Sequence, residues 1–599
     1  MSPAAILPAH APQPPARDET VPPRRLIALY HERSKHRFGA YAPGPGALDW
    51  DTQPAPFRHY RGAPVVSLPL AAELTPDHPL RERLAIAFGE LGAARPPHAA
   101  SLDSLGLLLQ LSLGLTGWKL LGPDRWAVRA NPSSGNLHPV EAWVIARCVP
   151  GLADGVHHYR PEDHALECRA QDPASTANAP PRLLIALSTV MWREAWKYGE
   201  RAFRYCQLDV GHAVGALRHA AALLGWTLGE VPGIGTATLA QRLGLDRARD
   251  YPAGRHPETE REEAEIVLAV GCDGALPAPL APAELDPPAP PQWRGTASPI
   301  DPRPMYRWPI VGEVAAATRR ADALAPTLHA TPAAGSAGSA EAVESAGSAG
   351  SAGRIAADAA ALRPAAEILL GRRSAQRFTP CHVMPGIAFA ALLDALVPHG
   401  GAPWDALASA NRLTPVLFVH RVEGLAPGLY LAVRDAVPAA GLIARLRQRF
   451  APRPVALPGG GPELLFLKGF APVELHRLAR SLHCHQDIAA NACFALGLLA
   501  PFEAAIAADP AAYRELYREA GLIGQVLYLQ TEALGLRGTG IGCFFDDPVH
   551  TVLGLEDHAW QTLYHFTVGM AVDDPRIENA PPYPASRRPA PSHPGTPAP

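Results

Sequence analysis

The chain of 599 residues lacks the features that mark several classes of protein. Its 8 cysteines are scattered, and none forms a Cys-x-x-Cys pair, which argues against a zinc ribbon or a thioredoxin motif. The formal net charge is only −3, so nucleic acid or an anionic membrane is not expected as a partner. No apolar run has transmembrane or signal-peptide length. We therefore expect a reduced, cytoplasmic protein.

One compact group of potential metal ligands is present, His483-Cys484-His485. A structural zinc site needs a second, suitably spaced pair of ligands, and none accompanies this tripeptide. We therefore expect no metal site.

Composition divides the chain into two blocks. The break between them is rich in proline at first and ends in Ser-Ala-Gly repeats, which are typical of a flexible tether. In its middle, Trp308-Pro309-Ile310-Val311 is a candidate segment for docking on a domain. The predicted organisation is a disordered tail (1–24), a first domain (25–275), a linker (276–360), a second domain (361–584) and a second disordered tail (585–599).

The two blocks resemble each other in sequence. Three glycine landmarks of the first block recur in the second at a constant offset of 310 residues, each in a similar local context. A constant offset at three separate positions indicates a tandem duplication. The pairs are Gly211 with Gly521, Gly225 with Gly535, and Gly244 with Gly554.

Hydrophobic periodicity predicts the same order of elements in both blocks: an apolar helix, a turn and strand, a second strand, a long amphipathic helix and a closing strand. Strands and helices do not alternate strictly, so an α+β fold is preferred over a doubly wound sheet. The predicted segments are Leu102–Thr116, Val140–Ala146, Leu183–Ser188, Arg204–Leu224 and Ile266–Gly271 in the first block, and Ile387–Val397, Val416–Val422, Leu464–Leu467, Tyr513–Leu534 and Leu563–Gly569 in the second.

The first chemical motif is a turn at residues 131–139, which contains Pro132, Ser133, Ser134 and Asn136 and leads directly into a strand. Such a turn offers backbone N–H groups and short polar side chains at the edge of a sheet. It can therefore hydrogen-bond a flat heterocycle, although an ordinary loop before a strand would read the same way.

Two further motifs lie in the second block. Arg372, Arg373 and Ser374 offer bidentate and hydroxyl hydrogen bonds to a phosphate, with Gln376 beside them; a solvated basic helix start is the alternative. The segment Gly538-Thr539-Gly540-Ile541-Gly542 is predicted to be a loop whose glycines allow close approach to a ligand and positive φ. A helix C-cap and turn is its alternative reading.

The aromatic string Trp192–Tyr205 contains an adjacent Lys197 and Tyr198. It reads either as a helix start that packs on the core or as a site for proton transfer. A neighbouring cation, Arg193 or Arg201, or partial burial would lower the pKa values of this pair toward the range of a base.

Together these motifs resemble the nitroreductase superfamily, and the Lys-Tyr string and residues 30–35 resemble its SagB/ThcOx-type branch, the azoline dehydrogenases of ribosomal-peptide biosynthesis. The resemblance implies two tandem nitroreductase-like domains, each with a mainly antiparallel sheet flanked by helices. It also implies that the domains pair as an intramolecular pseudo-dimer that binds FMN between them.

The resemblance also implies roles for the motifs. The turn at 132–136 would contact the flavin ring, and Gly540, Ile541 and Gly542 would run along it. The segment Arg372-Arg373-Ser374, here called the arm, would hold the phosphate. It would do so mainly through Arg372, because Gln376 stands where the family often has a second cation. Lys197 and Tyr198 would abstract a proton. The second block has Arg412 in place of Asn136, which predicts one complete FMN site and one decayed site.

The function implied by the resemblance is dehydrogenation of thiazoline or oxazoline rings in a small molecule or modified peptide, with a biosynthetic cyclodehydratase as a partner. One alternative is an NAD(P)H-dependent nitroreductase or quinone reductase. Another is a duplicated pseudoenzyme that acts as a peptide-binding scaffold.

Overall fold

The computed structural model describes residues 21–172, 179–254, 256–275, 285, 291–323 and 361–583. The tail 585–599 lies outside these residues, as do most of the tail 1–24 and much of the linker 276–360. Within the described ranges, no helix combines the length and the apolar character needed to cross a bilayer.

The first half is built from helices and short strands. Its helices are α1 (Pro23–Arg33), α2 (Leu80–Leu84), α3 (Leu102–Ser112), α4 (Met191–Tyr198), α5 (Ala202–Leu223) and α6 (Thr236–Leu243). One further helix, α7 (Pro309–Ala317), follows this half. Its strands are β1 (Tyr60–Arg61), β2 (Val65–Ser67), β3 (Leu115–Leu121), β4 (Asp124–Arg129), β5 (Val140–Arg147), β6 (Gly155–Arg160), β7 (Ala165–Gln171), β8 (Arg182–Thr189), β9 (Thr227–Glu230), β10 (Glu263–Gly271), β11 (Gln292–Trp293) and β12 (Thr296–Ala297).

The second half has a similar set of elements. Its helices are α8 (Ala365–Gly371), α9 (Gly386–Asp394), α10 (Ala436–Leu446), α11 (Pro472–Leu482), α12 (Asp487–Asn491), α13 (Phe502–Ala508), α14 (Ala512–Ala533) and α15 (Asp546–Leu553). Its strands are β13 (Thr414–Val419), β14 (Gly428–Val433), β15 (Arg453–Val455), β16 (Glu463–Gly469), β17 (Phe494–Ala500), β18 (Arg537–Ile541), β19 (Gln561–Gly569) and β20 (Glu578–Ala580).

Each half contains one large antiparallel sheet, and the strand orders correspond. The first sheet runs β11-β7-β6-β5-β8-β10-β9 and the second β15-β16-β14-β13-β17-β19-β18. The expected α+β fold, with a mainly antiparallel sheet in each half, is confirmed. In each half the strand that follows the turn, β5 or β13, is the central strand of the sheet. The turn therefore lies where the strands end.

One predicted correspondence is wrong. The run Leu183–Ser188 lies in β8, whose counterpart is β17 rather than the strand that contains Leu464–Leu467. The strand β17 reads Phe-Ala-Leu-Gly-Leu-Leu-Ala, and its alanines and glycine carry little intrinsic strand propensity. It forms because it is hydrogen-bonded between β13 and β19 and all of its residues are buried.

The two long helices α5 and α14 have 22 residues each, and they cross at the centre of the molecule. Gly211 and Gly521 lie at the crossing. A Cβ atom on Gly211 would overlap the carbonyl oxygen of Arg518, and one on Gly521 would overlap that of Leu208. The paired glycines therefore allow the two backbones to touch.

The other landmark glycines also share a conformation between the halves. Gly244 and Gly554 have φ of 72° and end α6 and α15 as left-handed caps. Gly225 and Gly535, just beyond the long helices, have φ of 74° and 70°. The sequence pattern thus marks positions with matching backbone geometry.

Segments from each half also pack on the other. The strand β20 of the second half pairs with β3 of the first. His31 of α1 is hydrogen-bonded to Tyr513 and Gln561 of the second half. The candidate docking segment begins α7, which packs on α1 and α5 and buries Ile310 and Val311.

The helix crossing predicts a specific cost for added volume. Gly211→Ala places a methyl group against backbone, so the helices must separate, and we expect the free energy of unfolding to fall by about 1–3 kcal/mol. Gly312→Ala is the matched control, because this helical glycine has nothing within 4 Å of a new Cβ atom. Thermal unfolding of both variants is the measurement, and equal midpoints would contradict the crossing.

Candidate functional site

A cleft of about 360 Å³ lies between the two halves. Its walls come from three segments that the sequence singled out. The motif turn of the first half faces the arm and the glycine segment of the second half. Ser133 and Ser374, which belong to different halves, line the same cleft.

Almost all of the predicted site residues line this cleft, and Lys197 is the exception. Its Nζ atom lies 5.1 Å from the centre of the Trp50 ring and 5.4 Å from that of Tyr198. Lys197 therefore stands behind Tyr198. The predicted residues in the lining are Pro132, Ser133, Ser134, Asn136, Tyr198, Arg372, Arg373, Ser374, Gln376, Gly540, Ile541 and Gly542.

A buried carboxyl group on α5 supports the motif turn. Asp209 accepts hydrogen bonds from the Ser134 backbone N–H at 3.1 Å and from the Ser134 hydroxyl at 2.9 Å. Burial raises the pKa of Asp209 to about 7, against the lowering effect of these hydrogen bonds. The turn is thus held by a group whose charge changes near neutral pH.

The turn also requires a glycine. Gly135 has φ of 58°, and a Cβ atom there would overlap the Tyr198 hydroxyl group. The next residue, Asn136, has φ of 60° and is held by a hydrogen bond of 2.9 Å from its Nδ2 to the carbonyl oxygen of Ala127. The phenol of Tyr198 therefore lies directly on the backbone of the turn.

The corresponding turn of the second half keeps the same support but is filled differently. Glu519 stands 310 residues after Asp209 and accepts from the backbone N–H groups of Arg412 and Leu413 at 2.9 and 3.1 Å. It also pairs with Arg434 at 2.8 Å. The Arg412 side chain reaches Glu515, so bulk and charge occupy the place of a short polar turn.

The two arginines of the arm, which the sequence predicts to bind a phosphate, donate to backbone carbonyl oxygens of the first half. Arg372 is only 2% exposed, and it donates to the carbonyl oxygens of Ala130 and Arg129 at 2.9 and 2.8 Å. Arg373 donates to the Thr116 carbonyl oxygen at 2.8 Å. Both side chains thus tie the arm to the first half, and Arg373 is the less buried of the two.

Further cations lie beside the arm. Lys119 on β3 lines the cleft. Burial lowers its pKa, and the nearby positive charges of Arg373 and Arg537 lower it further. The pKa of Arg373 is lowered by burial and then by Arg537. This end of the cleft therefore crowds like charges together.

The glycine segment is an edge strand, not the predicted loop. Gly538 and Gly540 belong to β18, which pairs with β19, and neither they nor Gly542 have positive φ. A Cβ atom on Gly540 would overlap the Tyr564 hydroxyl, and one on Gly542 would overlap the Tyr205 ring. These glycines make room for the tyrosines that line the cleft.

A hydrogen-bonded chain joins the arm to this strand. The Tyr528 hydroxyl is hydrogen-bonded to the Ser374 hydroxyl at 2.9 Å and accepts from the Gly540 backbone N–H at 2.9 Å. Ser374 also forms an isolated β-bridge with Gly538. The arm and the strand edge therefore form one wall.

The pKa of Lys197 is lowered as expected, but that of Tyr198 is not. Burial lowers the pKa of Lys197, as expected, and Glu194 opposes this shift. Burial raises the pKa of Tyr198 well above its ordinary value. The prediction that Arg193 or Arg201 lowers it is wrong, because these guanidinium groups pair with the buried carboxylates of Glu141 and Asp546 instead.

Several lining residues were missed in the sequence. Tyr205, Asp209 and His212 lie four and then three residues apart, so they share a face of α5, and this spacing could have revealed them. Lys119 gave no local signal, since it is a single lysine on a strand. Tyr528 and Tyr564 likewise enter only through the tertiary fold.

Comparisons with known proteins agree with this architecture. Residues 369–570 match the model of the nitroreductase family, so the second half carries a nitroreductase family domain. A Methanocaldococcus jannaschii protein assigned by name to the nitroreductases, MJ1384, is 32% identical over 124 residues. That match covers 19% of this chain and 58% of the relative.

A solved structure matches over most of the chain. It is the crystal structure of an Anabaena variabilis protein assigned by name to the nitroreductases, and it superposes with a TM-score of 0.61 at 21% identity. The match covers 91% of this chain and 99% of the other. At this identity the likeness shows a shared fold.

The raised pKa of Asp209 predicts a pH dependence of stability. The pKa is about 7 in the folded chain against an ordinary 3.8, so the folded state holds a proton that the unfolded state releases between these values. The free energy of unfolding contributed by this group therefore falls as pH rises from about 4 to about 7. Asp209→Asn keeps an acceptor for Ser134 and removes the titration.

We expect Asp209→Asn to become more stable relative to the wild type across this interval, by at most about 1.4 kcal/mol per pH unit. Urea unfolding at several pH values measures the difference. Asp487→Asn, which removes an exposed carboxylate, is the control. A constant difference between Asp209→Asn and wild type would contradict the assigned protonation.

Proposed function

We propose that the chain is an FMN-dependent oxidoreductase that holds one flavin in the cleft between its halves. The observation that carries this proposal is the meeting of the motif turn, the arm and the glycine strand in one cavity. Its volume of about 360 Å³ lies within the range of small-molecule sites.

The cationic end of the cleft suits a phosphate. Arg373 lowers the pKa of Lys119, and Arg537 lowers that of Arg373, so a phosphate dianion beside Lys119 and Arg373 would relieve this repulsion. The hydroxyl of Ser374 lies at the same wall. We assign the phosphate to Lys119, Arg373 and Ser374, with Arg372 positioning the arm.

The cleft also suits a flat, polar ring. The Asn131 side-chain oxygen is buried there without a hydrogen-bond partner among the described residues, so it would accept from a ring N–H. Tyr198, Tyr205 and Tyr564 supply aromatic walls. The glycines of β18 keep the strand edge free of side chains.

The equivalent place on the other side of the helix crossing cannot hold a flavin. It is formed by β9, β10 and the start of α14 and retains only about 30 Å³. Glu265 fills it and pairs with Arg514 at 2.6 Å and with Arg518 at 2.7 Å. These ion pairs support the proposal of one site per chain.

When bound, FMN would supply a two-electron acceptor for hydride. Lys197 is the better base of the pair, because burial lowers its pKa and so favours the neutral amine. Its Nζ lies behind the Tyr198 ring, so this role requires the flexible lysine side chain to turn into the cleft to take a substrate proton. Tyr198 keeps its proton at Oη and lies against the turn, where it can donate a hydrogen bond. The family resemblance implies the reverse, with Tyr198 as the base and Lys197 assisting it.

For the substrate we propose a thiazoline or oxazoline ring in a modified peptide, delivered by a cyclodehydratase partner. This finer step rests on the Lys197-Tyr198 pair and its resemblance to the SagB/ThcOx-type branch. A cleft between two domains leaves one side of a ring open to such a substrate.

The phosphate assignment is tested by comparing FMN with riboflavin. Arg373→Gln removes a charged contact to the phosphate, so FMN affinity should fall by about tenfold or more. Riboflavin affinity should change little. Arg377→Gln, four residues along on an exposed position, is the matched control. Equal losses for both ligands would place the phosphate elsewhere.

The base assignment is tested with Lys197→Ala. We expect FMN to remain bound, with its visible absorbance unchanged, and azoline oxidation to fall by about 10²-fold or more. Tyr198→Phe should lose less, since the phenol is not the base. Unchanged turnover of Lys197→Ala would exclude the role, and rapid bleaching of the flavin by NADPH would favour a reductase instead.

A further inference from the structure

Two cysteines meet at the rim of the cleft. Cys543 follows Gly542 at the end of the glycine strand and lines the cavity. Cys484 follows α11 in the left-handed region, with φ of 52°. The two thiols interact, although 58 residues of chain separate them.

Contacts made by the residues after Cys484 hold the two cysteines close together. The Gln486 Nε2 atom donates to the carbonyl oxygen of Cys543 at 3.1 Å. The His485 ring packs on that of Phe545 with centres 5.5 Å apart. The two residues that follow Cys484 are thus fixed to Cys543 and Phe545, which restricts how far the sulfur atoms can separate.

A third segment places a histidine on the pair. The side chain of His36 is hydrogen-bonded to the Cys543 thiol. His36 is itself held, because its backbone N–H donates to Asp546 at 3.1 Å and its Nδ1 accepts from the Ala42 N–H at 2.9 Å. An imidazole in this position can take up or return the thiol proton.

The electrostatic setting distinguishes Cys543 from the buried cysteines. The Cys484 thiol lowers the pKa of Cys543, and His36 and Arg201 lower it further, whereas burial opposes them. In contrast, burial raises the pKa of Cys272 and Cys493. The thiolate is the form of cysteine that attacks a disulfide, so Cys543 is the nucleophilic member of the pair.

We propose that Cys484 and Cys543 form a redox-active dithiol–disulfide pair that exchanges two electrons with the flavin in the cleft. The inference rests on the proposed function, which supplies the flavin. In one direction the S–S bond breaks, and the two sulfurs take two electrons and two protons from the reduced flavin, which becomes oxidised. In the other direction the dithiol closes and the flavin is reduced.

This pair would give the cleft an electron acceptor within the chain. Electrons taken from a substrate could pass from the flavin to the disulfide at the rim. A small-molecule disulfide, which takes up the two electrons and two protons and becomes two thiols, would then restore the protein disulfide. No further group is needed for the balance of the internal step.

The test is a reductive titration of the FMN-loaded chain, oxidised first with oxidised glutathione and kept free of oxygen. The wild type should take up about four electrons per chain, two at the flavin and two at the disulfide. Cys484→Ser should take up about two. Cys381→Ser, which removes an exposed cysteine, should behave as wild type. Alkylation and mass spectrometry should find Cys484 and Cys543 labelled only after reduction.

The outcomes separate this inference from the proposed function. A wild type that binds flavin, takes up about two electrons and labels both cysteines before reduction overturns the pair and leaves the flavin proposal standing. A linked pair that stays oxidised while the flavin is reduced overturns the exchange. A chain that binds no flavin overturns both. The alkylation uses the wild type, so it does not depend on the variants folding.

Discussion

The close crossing of α5 and α14 at Gly211 and Gly521 is the constraint on which the rest of the structure depends. Because backbone touches backbone there, the two long helices, each packed on the sheet of its own half, bring the halves into close contact. Side chains before and after the crossing therefore project into spaces between the halves. Tyr205, Asp209 and His212 from α5 and Tyr528 from α14 line the cleft in this way.

The same framework produces two equivalent spaces with opposite contents. In one, short residues and glycines leave a cavity with cations at one end. In the other, Glu265, Arg514 and Arg518 form buried ion pairs that occupy the room. Removing one partner of such a pair would leave an unpaired buried charge and cost about 3–5 kcal/mol. The filled space thus serves stability, while the open one is free for chemistry.

Much of this architecture could be predicted from the sequence. The glycine landmarks indicated the duplication, and the structure shows that they serve the helix crossing and left-handed caps. The motif turn and the arm identified two walls of the cleft. The prediction failed where tertiary contacts decide. The strand β17 is held by its neighbours despite its composition, and the glycines of β18 serve packing against tyrosines from other elements. Lys119 reaches the cleft only because β3 lies beside the arm.

The central claim is that the halves together build one cofactor site and not two. Calorimetric titration of the flavin-free full chain with FMN measures this directly. The account predicts saturation at one FMN per chain, with Asn131→Ala and Arg373→Gln, one substitution in each half, weakening that same binding event. Saturation at two FMN per chain, or binding that depends on only one half, would contradict it.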